Sequence, residues 1–238
     1  MKDIIYKRKS TRKYLNKEIE EDLLKEIQEY INTIKPLYKD IKYKFELVKK
    51  ENVKSMFSWM PPQVYALYSE EKDGYLENIG FIGQQLDLFL QKKGLGACWI
   101  GLGKLDTKVD KSESNGLKYQ IMIAFGYPSE TLYREVSEFK RKELKDIANA
   151  LDPRLEVARL APSSVNSQPW YFVVDNELIH VFCNKGGFIK GIFLGDLNMI
   201  DVGISLAHLY IANVDTFTFT KLDNITYKKY TYIGTIKI

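Results

Sequence analysis

The sequence predicts an α+β protein built from two related halves. One order of elements, helix–strand–strand–helix–strand, occurs twice along the 238 residues. The fourth element of each half is an amphipathic helix, and the two helices match at a constant distance of 120 positions. Under this register Gly83 matches Gly203, and Ile82, Leu86 and Leu90 match Val202, Leu206 and Tyr210. A composition of 45% hydrophobic and 28% charged residues is typical of an ordinary globular protein.

Elements of the first half follow from apolar spacing and from turn residues. A helix is predicted after Asn16 and ends at Pro36, because apolar residues recur at helical intervals at Ile19, Leu23, Ile27, Ile31 and Ile34. Four further elements are predicted from there to the Gly-Tyr-Pro turn at 126–128: strands at Tyr43–Val48 and Val64–Tyr68, a helix at Ile79–Lys93 and a strand at Tyr119–Phe125.

The second half repeats this order. A helical stretch is predicted from Lys142, and Asp152-Pro153 supplies an N-cap and first helical residue before a stop at Pro162. Four elements follow: strands at Tyr171–Val174 and Leu178–Cys183, a helix at Met199–Ile211 and a strand at Tyr227–Ile238. The two halves are joined by a charged stretch, and no Pro/Gly/Ser-rich linker separates them. We therefore expect one fused globule, with a first half at 1–138 and a second half at 139–238.

Charge and cysteine content exclude several classes of protein. The 35 basic residues exceed the 31 acidic ones by only four, and Tyr227-Lys228-Lys229-Tyr230 is the sole basic patch with interleaved aromatics. Binding to nucleic acid is therefore not expected. Two cysteines 85 positions apart form neither a metal motif nor a disulfide framework. With no apolar run near the ~20 residues that span a bilayer and no secretory signal, a soluble, cytoplasmic protein without membrane contact is expected.

The segment Arg8-Lys9-Ser10-Thr11-Arg12 offers several hydrogen-bond donors to an anion within five residues. Guanidinium forks and a hydroxyl suit a phosphate. A solvated basic N-terminus is the alternative explanation, and the segment alone does not decide between them.

The segment from Ala161 to Trp170 reads Ala-Pro-Ser-Ser-Val-Asn-Ser-Gln-Pro-Trp. Two prolines stiffen it, and it presents hydroxyl, amide and backbone donors in a fixed array. The alternative is a turn that joins a helix to a strand, with Trp170 in the core. The number of polar residues beyond what a turn needs favours a binding loop.

Four glycines between Gly94 and Gly103 let a backbone approach a flat ligand closely. The spacing is not the dinucleotide fingerprint, because Trp99 stands where its third glycine would be. The alternative is a glycine that ends a helix, followed by a buried strand. His180, His208 and Cys98 are interpreted as structural residues, and neither a hydrolase nor a zinc site is predicted.

Together these segments resemble the FMN-dependent nitroreductase family. The resemblance rests on Arg8–Arg12, on the Pro-Ser-Ser-x-Asn-x-Gln-Pro-Trp signature at 162–170, on Gly94–Gly101 and on the strand that ends Phe125-Gly126-Tyr127-Pro128. It implies an α/β/α sandwich with a mostly antiparallel sheet. In that family the basic segment and the Pro-Ser-Ser loop of one site come from two subunits. Here they lie about 150 positions apart in one chain, as in the branch of the family with two fused nitroreductase-like halves. The resemblance therefore implies a monomer that acts as a pseudo-dimer, and further self-association stays possible.

The family's roles transfer residue by residue. Arg8, Lys9, Ser10 and Arg12 are expected to hold the FMN phosphate, together with the late basic pair Lys140 and Lys142. Pro162, Ser163, Ser164 and Asn166 are expected on one side of the isoalloxazine, and Trp99, Ile100 and Gly101 on another. No metal and no protein catalytic residue are expected, because the flavin carries the chemistry.

The resemblance implies a ping-pong reaction. NADH or NADPH reduces FMN, and a small nitro-aromatic or quinone-type acceptor then takes the electrons. The alternative that the sequence leaves open is an FMN-binding sensor or flavin-storage protein with little turnover.

Overall fold

The computed structural model describes residues 1–54, 59, 61–110, 116–184 and 188–238, without the side chains of 188–194. Its α-helices are α1 (Lys2–Ile5), α2 (Glu21–Ile31), α3 (Tyr75–Lys92), α4 (Leu144–Ile147), α5 (Glu156–Arg159) and α6 (Phe188–Ala212). Its strands are β1 (Tyr43–Lys49), β2 (Val53–Lys54), β3 (Gln63–Ser69), β4 (Gly96–Ile100), β5 (Lys104–Leu105), β6 (Lys118–Gly126), β7 (Trp170–Asp175), β8 (Leu178–Cys183), β9 (Thr218–Thr220) and β10 (Thr231–Lys237).

The strands form two four-stranded sheets and one small ribbon. The first sheet has the order β1-β3-β6-β4, the second has the order β7-β8-β10-β9, and β2 pairs with β5. All of these pairs are antiparallel. The predicted α+β class with antiparallel pairing is confirmed, although each part of the chain forms its own sheet where we expected a single central one.

Both sheets follow the same chain order. In each, two strands are followed by a long helix, then by an edge strand and finally by the strand that pairs with that edge. The edge strand β4 lies in a glycine-rich segment, where a buried strand was only the alternative interpretation. The edge strand β9 was not predicted, because it has only three residues. The two edge strands occupy equivalent places after α3 and α6.

The first sheet is covered on both faces, which explains the continuous apolar run of β3. Tyr65 and Leu67 belong to the main core with α3, whereas Val64, Ala66 and Tyr68 belong to a smaller core on the opposite face. The split follows the two-residue period of an extended chain. Side chains of α3 and α6 fill the main core between the two sheets.

Helices α3 and α6 pack against each other with their backbones in contact. A Cβ atom on Gly80 would lie 2.0 Å from the carbonyl oxygen of Ile200, and one on Gly203 would lie 2.0 Å from that of Glu77. These pairs also show that the helices run antiparallel. No side chain fits at either glycine, so the approach of the two helices depends on these positions.

Several predicted boundaries were wrong. Helix α2 covers only Glu21–Ile31, and the stretch predicted as helical from Lys142 holds the one-turn helices α4 and α5. Helix α6 begins at Phe188 and not near Met199. Strand β10 begins at Thr231, because the preceding turn places Lys228 in the left-handed region with φ of 49°. Tertiary packing and turn geometry determine where these helices and strands begin and end, and the spacing of apolar residues contains no information on either.

We predict that Gly203→Ala destabilises the fold while Gly195→Ala does not. The new Cβ at 203 would overlap a backbone carbonyl, and such overpacking costs about 1–3 kcal/mol or more. Gly195 lies in the same helix with nothing near its Cβ position, so its substitution should stabilise by up to about 1 kcal/mol. Urea unfolding followed by circular dichroism measures both. Equal free energies of unfolding for the two variants would contradict the role assigned to Gly203.

Candidate functional site

A cavity of about 520 Å³ lies between parts of the chain that are distant in sequence. Its lining from the N-terminal part includes Ser10, Arg12, Trp59, Cys98, Trp99, Gly101 and Leu102. The remainder includes the loop residues Pro162, Ser163, Ser164 and Val165 and, from α6, Leu197, Ile200, Asp201 and Ile204. The basic segment and the proline-bracketed loop therefore meet across one space, although about 150 residues separate them.

The basic segment lies beside β4 as an extended chain. Ser10 forms a parallel bridge with Ala97, and the Thr11 N–H donates to the Ala97 carbonyl at 3.0 Å. Gly96 permits this approach, because a Cβ there would lie 2.5 Å from the Thr11 side chain. Alternation along the extended chain turns Ser10 and Arg12 toward the cavity and buries Thr11 on the other side.

Arg8 is fully buried beside the cavity. Its Nε donates to Asp87 Oδ2 at 3.0 Å and its Nη2 to Ser10 Oγ at 3.3 Å. Its Nη1 is buried without a hydrogen-bond partner among the described residues. Lys9 points elsewhere, since its Nζ lies 3.4 Å from Glu130 and donates to the Thr131 carbonyl. A buried guanidinium donor with no partner indicates a place for an anion.

Arg141 is partly buried between two exposed lysines. Its Nε donates to the Ala161 carbonyl at 2.9 Å and its Nη1 to Asn166 Oδ1 at 2.8 Å. Lys140 is exposed, and Lys142 donates from Nζ to the carbonyls of Ser167 and Gln168. None of these three side chains lines the cavity. Sequence reasoning passed over Arg141, although alternate residues of an extended chain face opposite ways and could have indicated it.

Positive charge accumulates where Arg8 and Arg141 approach each other. Burial, followed by repulsion from Arg8, Arg134 and Arg159, lowers the pKa of Arg141 to about 9. Burial and the charge of Arg8 likewise lower the pKa of Arg134 to about 10. Asp87 pairs with Arg8 and Glu156 with Arg159, and these carboxylates do not balance the set. An anion bound here would relieve the repulsion.

The loop at 163–168 has a strained backbone. Val165, Asn166 and Gln168 have φ values of 46°, 56° and 47°, in the left-handed region that a β-branched residue rarely adopts. Asn166 is occupied by hydrogen bonds to Arg141 and to the Lys140 carbonyl. Gln168 accepts from the Lys142 N–H at 2.8 Å and is buried. Such strain concentrates at binding sites.

Asp201 of α6 forms hydrogen bonds with the loop. The Ser164 N–H lies 3.0 Å from both of its carboxylate oxygens, and Ser167 Oγ lies 3.4 Å from Oδ2. Only 3% of this residue is exposed, and burial raises the pKa of the Asp201 carboxyl to about 7. The two hydrogen bonds oppose that shift only in part.

Strand β4 supplies the wall opposite the loop. Gly94, with φ of 81°, ends α3, and the buried strand follows, which is the alternative that the sequence left open. The Trp99 Nε1–H donates to Gln84 Oε1 at 3.0 Å, and Gly83 leaves room for the indole. The Ile100 side chain lies in the small core on the other face of the first sheet, so it does not reach the cavity.

His208 and Cys98 fit the structural roles predicted for them. His208 Nδ1 lies 2.8 Å from the Val157 carbonyl and therefore carries the hydrogen, while Nε2 accepts from Gln84. Burial lowers the pKa of His208 to about 3 and raises that of the Cys98 thiol. Among the described residues, no group of three or more metal-binding side chains occurs. None of the described helices has the length and apolar character to cross a membrane.

A family model described as "Putative TM nitroreductase" matches residues 1–213. The chain belongs to this nitroreductase family. The nitroreductase-like fold and family predicted from the sequence are thereby confirmed, and the family makes the protein an oxidoreductase. No curated protein matches the sequence.

Several solved structures are similar to this chain, and the first described here shares its fold. A structure described as a putative nitroreductase from Thermotoga maritima msb8 has a TM-score of 0.65 and 21% identity, covering 99% of this chain and 91% of its own. An FMN-dependent nitroreductase from Clostridium difficile R20291 has a TM-score of 0.46 and 20% identity over 60% of this chain and 98% of its own. A nitroreductase family protein from Clostridium difficile 630 has a TM-score of 0.49 and 14% identity, covering 64% of this chain and 98% of its own.

The structure of this nitroreductase brings together part of the predicted set of site residues. The cavity is lined by Ser10, Arg12, Trp99, Gly101, Pro162, Ser163 and Ser164. The side chains outside this lining are those of Arg8, Lys9, Ile100, Lys140, Lys142 and Asn166. Arg8 and Asn166 lie directly behind it, each bonded to a residue at or beside the wall. Cofactor contacts by any of them stay a prediction.

We predict that Asp201→Asn stabilises the protein more at pH 8 than at pH 5. An unfolded carboxyl titrates near 3.8 and the folded one near 7, so stability falls as pH rises between these values, and the full cost is present above pH 7. The neutral amide removes this cost. The difference in unfolding free energy between variant and parent should grow by on the order of 2 kcal/mol from pH 5 to pH 8. An equal gain at both pH values would show that Asp201 titrates normally.

Proposed function

We propose that this nitroreductase binds FMN in the cavity and transfers electrons from NADH or NADPH to a nitro-aromatic or quinone-type acceptor. The observation that carries the proposal is the pairing of a mostly apolar cavity with an excess of guanidinium groups at one side. FMN has the same two parts, a flat ring system and a phosphate of about −2 charge.

The donor set suits a phosphate. Ser10 and Arg12 line the cavity, and Arg8, whose Nη1 has no partner among the described residues, bonds to Ser10. Arg141 lies on the side of the loop, where its Nη1 bonds to Asn166. Arg141 replaces Lys140 and Lys142 in this proposal, because it is the least exposed of the three and its Nε bonds to the Ala161 carbonyl, next to Pro162 of the cavity wall. Arginine also offers planar, two-point recognition that a lysine does not.

The ring would lie between two walls. Trp99 and Gly101 form one, and Pro162, Ser163 and Ser164 form the other. Gln84 fixes the Trp99 indole, so this wall is set before a ligand arrives. The exposed side chains of Leu102 and Val165 stand at the cavity with 62% and 79% exposure and would give a flat, apolar acceptor its contact surface.

When bound, FMN supplies hydride chemistry in a ping-pong cycle, in which the nicotinamide and the acceptor use one slot in turn. The chain binds and orients the ring and limits water around it. This division of labour is consistent with a neutral, buried His208 and a neutral Cys98 thiol, neither of which is needed as an acid or base.

We further propose that the chain is a fused pair, 1–138 and 139–238, with one FMN site. Under the 120-residue register, Phe81 stands where α6 has Asp201, and Phe219 stands where β4 has Trp99. Phe219 packs on Tyr38 at 5.3 Å, and Phe81 on Phe217 at 6.0 Å. Aromatic rings therefore fill the place that corresponds to the cavity, which supports a single site per chain.

We expect the purified protein to bind FMN with a stoichiometry of one per chain. A visible spectrum and a fluorescence titration measure binding. Rapid anaerobic bleaching by NADH or NADPH would then identify the donor. Flavin that stays oxidised with both donors would favour sensing or storage, and absence of FMN binding would contradict the proposed cofactor site.

We predict that Arg141→Ala raises the FMN Kd about ten- to a hundred-fold, because one charge-assisted hydrogen bond contributes about 1.5–3 kcal/mol. Lys140→Ala is the matched control, since its side chain is exposed, and it should leave the Kd within about two-fold. Isothermal titration at fixed salt separates the two. A larger loss with Lys140→Ala than with Arg141→Ala would restore the lysine pair as the phosphate ligands.

A further inference from the structure

A buried carboxyl without a compensating cation stands at the wall of the cavity. Asp201 is hydrogen bonded to Ser164 and Ser167, and none of the described residues forms an ion pair with it. Arg12 and Cys98 are the other titratable groups that line the cavity, and neither bonds to it in the described part of the chain. Asp196 of the same helix is exposed. Burying an uncompensated charge destabilises the fold, so the role of Asp201 is not to stabilise the protein.

What Asp201 holds is the strained loop. Its carboxylate accepts the Ser164 N–H just before the residues whose φ values are positive, and it meets Ser167 just after two of them. The short 3₁₀ turn at Ser164–Asn166 is thereby fastened at both ends to one rigid helix. Without these hydrogen bonds, the free energy of the loop would fall if Val165 left the left-handed region.

The other part of the chain provides an internal comparison. The position that matches Asp201 is Phe81, which packs against Tyr210 at 5.3 Å and has no loop to hold. A carboxyl thus occurs beside the Pro-Ser-Ser loop, and an apolar ring occurs where that loop is absent.

We propose that Asp201 is a positioning residue for the flavin site, holding the loop 163–168 so that Pro162, Ser163 and Ser164 keep their places on the cavity wall. The inference rests on the proposed binding of FMN. It assigns no chemical step to Asp201, which acts through the Ser164 backbone.

The test compares Asp201→Val and Asp201→Asn with Asp196→Val, a substitution at an exposed site of the same helix. Asp201→Val removes the acceptor, so the FMN Kd should rise at least ten-fold while the melting temperature of the ligand-free protein at pH 8 stays equal or rises. Asp201→Asn keeps an oxygen for the Ser164 N–H, and its Kd should lie within about three-fold of the parent's. Asp196→Val should change neither quantity.

Hydrogen exchange of the ligand-free protein gives a readout that does not require FMN. Amides of 163–168 should exchange at least ten-fold faster in Asp201→Val than in the parent, and those of the first sheet should not change. Unchanged exchange would overturn the inference, and so would a Kd equal to the parent's or a melting temperature that falls together with the affinity. Faster loop exchange in Asp201→Val, combined with no FMN binding by the parent protein, would support the role of Asp201 in holding the loop and contradict the proposed binding of FMN.

Discussion

The contact between α3 and α6 is the constraint on which the rest of the molecule depends. Two glycines let the helix backbones touch, and this contact joins the first sheet to the second. The basic segment is fixed to β4 on one side, and the loop is fixed to α6 on the other. The width of the cavity therefore follows from how closely two helices approach, at a contact that includes the lining residue Ile200 and lies within the same turn of α6 as Asp201 and Ile204.

The cavity is built from polar groups that the fold leaves only partly satisfied. Guanidinium groups repel one another beside Ser10, a carboxyl is buried without a cation beside Ser164, and the loop between them is strained. Each feature lowers stability in the ligand-free protein. Together they describe a site organised before binding, in which a ligand with a phosphate meets charges that are already oriented.

The sequence carried much of this structure but not its fine geometry. Apolar spacing located β1, β3, β6, β7 and β8 because their faces are buried at regular intervals. The proline-bracketed loop was predicted as a binding loop from its residue types, whereas Ser10 was predicted only through the resemblance to the nitroreductase family; both line the cavity. Arg141 and Asp201 were missed, because the direction of a side chain beside a loop, and the burial of one acid on an apolar helix, depend on contacts between distant segments that no local pattern records.

Both walls of the cavity belong to a single polypeptide. A site shared between two separate subunits falls apart when the protein is diluted below the dissociation constant of the dimer. Here the connecting residues hold the walls at an effective concentration set by their own length, whatever the amount of protein in solution. Dilution therefore does not separate the two walls of this cavity, because both belong to one folded chain.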